Sequence, residues 1–133
     1  MKKRWLIAIA YLILIHSLSS FSLGNSEIEI FYGLDKIIHI LEYFVLTILF
    51  WKPICNFFSQ TSINTISFGI FLFSILNGFL DEYHQGFVYG RDSTYGDFLA
   101  DVIGSAFGVL CLRFRNKNNV YSETKFGEIF ESN

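Results

Sequence analysis

Four apolar blocks constrain what this chain can fold into more than any other feature. They lie at about residues 5–23, 34–51, 63–80 and 97–114. Each approaches the ~20 residues that a helix needs to cross ~30 Å of hydrocarbon. At 133 residues, 52% hydrophobic and with 16 phenylalanines, the chain is too apolar for a soluble domain of its size. The expectation is an all-α membrane protein, a four-transmembrane-helix bundle of residues 1–114 with a polar cytoplasmic tail at 115–133. A net charge of -2 excludes a basic nucleic-acid binder, and no aromatic and basic interleaving suggests one.

Basic residues orient the blocks. Eight of the ten Lys and Arg fall before the first block, between the second and third, or from the last residues of the fourth onward. Only Lys36 and Arg91 fall on the other side. The positive-inside rule then places both termini in the cytoplasm of a multi-pass cell-membrane protein. A cleaved signal peptide is the alternative for the first block, which has a basic start and a small-residue end. Cys55 and Cys111 fall near the predicted inner ends of spans, where thiols stay reduced. Pro53 is expected to stop the second helix.

The charges that break the blocks carry the chemistry. Asp35, His39 and Glu42 are spaced i, i+4, i+7 and line one helical face. Asp81 and Glu82 close the third block, with Asn77 a turn beneath. Asp97 and Asp101 open the fourth. Such groups cost roughly 2.5–3.5 kcal/mol each at a helix centre on insertion scales, so they should turn into the bundle. Thr94 with Asp97 also fits a capping box, which accounts for Asp97 without a site. Asp101, one turn deeper, has no such account. Ala100, Gly104 and Gly108 form a small-residue packing stripe, and Ser74 with Gly78 a shorter one. Three segments therefore bring acids to one depth in the outer leaflet, beneath Arg91, with Tyr83, Phe87, Tyr89 and Tyr95 as an aromatic rim.

Acids in this excess cannot all stay ionised away from water. Some are protonated, or a cation or a positively charged ligand sits among them. Carboxylate and imidazole ligands suit a divalent metal, though the His39 to Glu42 spacing alone is weak support. No G-x-S-x-G, H-E-x-x-H or phosphate-cradling loop occurs. Paired carboxylates can do acid–base work on an envelope lipid or glycan.

Two motifs carry a family resemblance. Residues 35–46, DKIIHILEYFVL, look like the D-K-x-x-H-x-x-x-Y-x-x-L segment of VanZ-like membrane proteins. Residues 81–97, DEYHQGFVYGRDSTYGD, resemble that family's D-E-x-x-Q-x-F-x-P-G-R-x-x-x-x-x-D. Tyr89 stands where the family usually has proline, and Asp101 where asparagine is common. Matched position by position, the resemblance points to Asp35, Lys36, His39, Tyr43, Asp81, Glu82, Gln85, Arg91 and Asp97. It implies a small multi-pass envelope protein from a family associated with resistance to glycopeptide antibiotics, notably teicoplanin. The expected function is an outer-leaflet pocket, with Asp101 included, that binds an envelope lipid, glycan precursor or lipophilic glycopeptide. The alternative is a membrane enzyme, acid–base or metal-assisted, acting on a lipid-linked envelope substrate.

Overall fold

A computed structural model describes residues 2–20, 33–89 and 93–131, with side chains described as far as residue 116. Arg91 and most of the first predicted outer loop lie outside the described residues. Four helices follow in order: α1 (Lys2–Ser19), α2 (Leu34–Phe57), α3 (Ile63–Gln85) and α4 (Tyr95–Glu131). Helices satisfy every backbone polar group within one segment, which lipid demands. Among the described residues, three stretches are long and apolar enough to cross a membrane: Leu34–Phe57, Ile63–Gln85 and Tyr95–Asn116. The first helix does not qualify, against the expected four. Its 18 residues open with Lys2, Lys3 and Arg4, so its apolar part falls short of ~20 residues.

Local chemistry explains the helix ends. The Ser62 hydroxyl accepts the Thr65 N–H at 3.2 Å and caps α3. Gly33 precedes α2 at φ 119°, a conformation that side chains other than glycine rarely adopt. Pro53 does not end α2; it lies inside the helix, which runs one turn further to Phe57. Proline removes one N–H, and a helix near its end can lose one bond without unwinding. Nor does α4 stop where the polar tail begins, since it continues to Glu131.

The most extensive interface joins α2 to α4. The stripe Ala100, Gly104, Gly108 makes it. A Cβ built on Gly104 would run into the Ile40 backbone, and one on Gly108 would lie 2.8 Å from Thr47 Cβ. Without a hydrophobic drive between helices in lipid, such backbone approach supplies the contact. One apolar core joins Ala8 and Ile15 to Tyr43, Leu46 and Phe50. A second joins Trp51, Ile66, Ile70, Val109 and Leu112. Large apolar side chains such as Leu6, Phe68, Phe107 and Phe114 point outward, as lipid-facing residues do.

The bundle is polarised end to end. At one end Arg4, Lys52 and Arg115 surround a cavity of about 670 Å³ beside Trp51, and Arg113 donates to Asn64 Oδ1 at 2.7 Å. Free Cys55 and Cys111 lie towards this end. The buried acids gather at the other.

Candidate functional site

The deepest contact joins α2 to α4. His39 Nδ1 lies 2.9 Å from Asp101 Oδ1, with the residues 4% and 1% exposed. An ionised carboxylate only accepts, so against one Nδ1 carries the hydrogen. Asp101 reaches this depth because α3 offers Gly78 opposite: a Cβ there would lie 2.9 Å from Asp101 Oδ2. The small residue that permits close packing is therefore also the one that admits a carboxylate.

Glu82, one turn beyond Gly78 on α3, links the site to the start of α4. Its Oε2 accepts the Ser93 hydroxyl at 3.1 Å and the Thr94 N–H at 3.0 Å. Thr94 Oγ1 in turn accepts the Asp97 N–H at 3.2 Å and donates to Asp97 Oδ2. In a standard capping box the third helical residue would take the cap's own N–H. Here Glu82 from another helix takes it, which frees Asp97 to accept from Lys36 Nζ at 3.0 Å. Asp97 thus engages Lys36 and the Thr94 hydroxyl instead of closing the capping box.

Asp81 faces α1. His16 Nδ1 lies 3.0 Å from its Oδ1, and Gln85 Nε2 donates to its Oδ2 at 3.0 Å. Further out, Ser20 Oγ donates to the His16 carbonyl at 2.8 Å, so His84 Nε2, 2.9 Å away, is the donor to that hydroxyl.

Of the sequence-predicted residues, His39, Tyr43, Asp81, Glu82, Gln85, Asp97 and Asp101 are buried together at this end, with Lys36 half-buried over them. Asp35 is exposed in the first turn of α2. Glu42 is half-buried and has interactions of its own. Of the expected α2 face only His39 is buried; Tyr43 is buried beside it, and Lys36 and Glu42 are half-buried alike. Tyr83, Phe87, Tyr89 and Tyr95 are all exposed at this end. Asn77 turns its amide back to the Phe73 carbonyl at 2.7 Å. Several participants were not among the predicted residues, His16, Ser93 and Thr94 among them. His16 reads from sequence as a structural histidine, and Thr94 as a cap alone. The run of polar residues at 93–97 was the available signal for Thr94.

Three groups stand apart chemically. One ligand atom each from His39, Glu82 and Asp101 lies within 4.8 Å of the other two, and all three residues are buried. Glu82 Oε1 and Asp101 Oδ2 are buried with no hydrogen-bond partner among the described residues, as is the Tyr43 hydroxyl. Buried polar atoms left unmatched are rare, and each calls for a reason.

A family model described as VanZ/LLP1 matches residues 2–116, well over half of the 133-residue chain. No curated protein and no solved structure matches it. The matched region takes in the described part of the acid–histidine site and all three candidate spans. The chain therefore belongs to the VanZ/LLP1 family.

Proposed function

We propose that this VanZ-like membrane protein binds an envelope lipid, a glycan precursor or a lipophilic glycopeptide through the polar end of its bundle. One observation carries this reading: two carboxylate oxygens, on Glu82 and Asp101, are buried without a partner among the described residues. Acceptors of this kind gain most from a donor brought by a ligand, because an unmatched buried acceptor carries its full desolvation cost. Exposed aromatic residues at the same end, Tyr83 and Tyr89 among them, supply flat apolar surface for an amphiphile. The test compares a strain lacking the gene with strains carrying the wild-type gene or Glu82→Gln. Expected is a shift in teicoplanin susceptibility or in the envelope lipid and muropeptide profile, reversed by wild type and not by Glu82→Gln. Full reversal by the variant at normal membrane level would sink the proposal.

A membrane enzyme is the second reading, favoured by His39, Glu82 and Asp101 meeting within 4.8 Å. An imidazole between carboxylates is a proton-transfer arrangement. Accumulation of one lipid-linked intermediate in the deletion strain would favour it over simple binding.

The same reading takes the polar end to face outward, with four crossings and both termini cytoplasmic. Support comes from α1, which begins at the basic end and reaches Asp81 through His16 near its last turn. With Cys55 and Cys111 replaced by serine, an impermeant maleimide should label Tyr89→Cys in intact cells. It should label Ser62→Cys only after permeabilisation. An N-terminal epitope should behave like Ser62→Cys; if it behaves like Tyr89→Cys, α1 does not cross.

A further inference from the structure

The four buried acids of the polar end divide into two kinds. Asp81 and Asp97 have both carboxylate oxygens engaged by this chain, through His16 and Gln85 in one case and Lys36 and Thr94 in the other. Glu82 and Asp101 do not. Each keeps one oxygen without a partner among the described residues, although they are only 6% and 1% exposed. These two acids are the ones that meet His39. Among the described residues, Lys36 lies on Asp97 and His16 on Asp81. Among the described residues, this part of the site therefore holds two carboxylates and one imidazole, a set that a cation would complete.

We propose that His39, Glu82 and Asp101 form a binding site for one divalent first-row transition-metal ion, a proposal that takes the polar end as the working site. A doubly charged ion neutralises two carboxylates, which a low-dielectric interior favours. Mixed nitrogen and oxygen ligands suit zinc or manganese, whereas magnesium and calcium prefer oxygen alone. Geometry agrees. Three atoms no more than 4.8 Å apart share a point within about 2.8 Å of them all, and zinc bonds to imidazole and carboxylate are about 2.0–2.2 Å. Each ligand then moves by less than about 1 Å, a side-chain adjustment rather than a helix shift.

The nitrogen involved is Nδ1, because it faces Asp101 while Nε2 lies across the ring. Its 2.9 Å separation from Asp101 Oδ1 is close to the spacing of adjacent ligands on one metal. The ion takes the place of the hydrogen on Nδ1: a protonated His39 releases that proton to solvent and keeps its Nε2–H, whereas a neutral His39 moves it to Nε2, so the ligating imidazole stays neutral and offers its lone pair. Glu82 is held in place for the task. Ser93 and the Thr94 N–H fix Oε2, which leaves Oε1 free, and such outer contacts orient metal ligands.

The test uses the full chain purified in detergent without a histidine tag, stripped with a chelator and dialysed against Zn²⁺ or Co²⁺. Expected is one equivalent of metal per chain and a Co²⁺ absorption spectrum with nitrogen and oxygen ligation, undisturbed by excess Mg²⁺ or Ca²⁺. Glu82→Gln, Asp101→Asn and His39→Gln should each weaken binding at least about ten-fold. His84→Gln, which removes an exposed histidine, should bind as wild type does. Absence of stoichiometric metal in the wild-type chain overturns the proposal, whatever the variants do. So does metal retained equally by His39→Gln and lost from His84→Gln. Because no envelope ligand is present, metal binding without a Glu82→Gln phenotype overturns only the functional reading. The phenotype without metal overturns only this one.

Discussion

Gly104→Leu should leave little folded protein, and Gly104→Ala should already be the most damaging single methyl addition in the bundle. A Cβ at this position meets Ile40 carbonyl carbon at 2.9 Å and Cα at 3.0 Å, with the carbonyl oxygen closer still. These are backbone atoms of α2, so no rotamer change relieves the clash and the two helices must part. Overpacking typically costs about 1–3 kcal/mol and occasionally more. The α2–α4 contact is the largest in the fold and rests on packing that lipid cannot replace, so alanine belongs at the top of that range and leucine beyond it. Gly108→Ala meets Thr47 Cβ at 2.8 Å and the Phe44 carbonyl oxygen at 3.2 Å, a less severe approach to the α2 backbone than at Gly104, and should cost less. Gly69 has nothing within 4 Å of a built Cβ. There alanine should be neutral or stabilising by up to ~1 kcal/mol, through helix propensity alone. Unfolding by sodium dodecyl sulfate in mixed micelles gives the order. Equal cost at Gly104 and Gly69 would show that α4 does not pack on α2 along this stripe.

The second large effect is His39→Ala, measured in the presence of a chelator. Removing one partner of a buried pair leaves the other charge uncompensated, at roughly 3–5 kcal/mol. Asp101 is the group so stranded, 1% exposed between α2 and Gly78 of α3. Asp101→Asn keeps an oxygen for His39 and removes the charge, so it should cost less than His39→Ala. The double variant His39→Ala, Asp101→Ala should fall short of the sum of the singles by roughly 0.5–3 kcal/mol, the usual range for groups in direct contact. Strict additivity would mean that the 2.9 Å contact contributes nothing to holding α2 on α4. By contrast, losing Asp35, which is exposed, should change stability by no more than ~0.5 kcal/mol in the same assay.

Much of this was legible in the residues alone. Blocks of apolar sequence identify α2, α3 and α4, because lipid admits only segments that satisfy their own backbone. A carboxylate at position 101 has to turn inward, since its charge is too costly to leave in hydrocarbon. Thr94 and Asp97 announce a helix start three residues apart, and the glycines of α4 announce a close neighbour. All of these follow from energies that act on one segment at a time.

Partnership was another matter. Spacing puts Asp35, His39 and Glu42 on one face, yet Asp35 is exposed and Glu42 half-buried, while His39 and Tyr43 are buried. A helix apolar on nearly every side has no amphipathic stripe to set its rotation about its own axis. That rotation is decided by where a neighbour can come close, at Gly104 against Ile40 and at Gly78 against Asp101. Sequence alone therefore determined the helices and the depth at which acids had to be sheltered. Only the tertiary structure decided that Asp81 and Asp97 would have both oxygens engaged while Glu82 and Asp101 would each keep one without a partner among the described residues. The reason is geometric: a hydrogen bond is settled within a few tenths of an ångström, and that precision comes from packing between segments far apart in the chain.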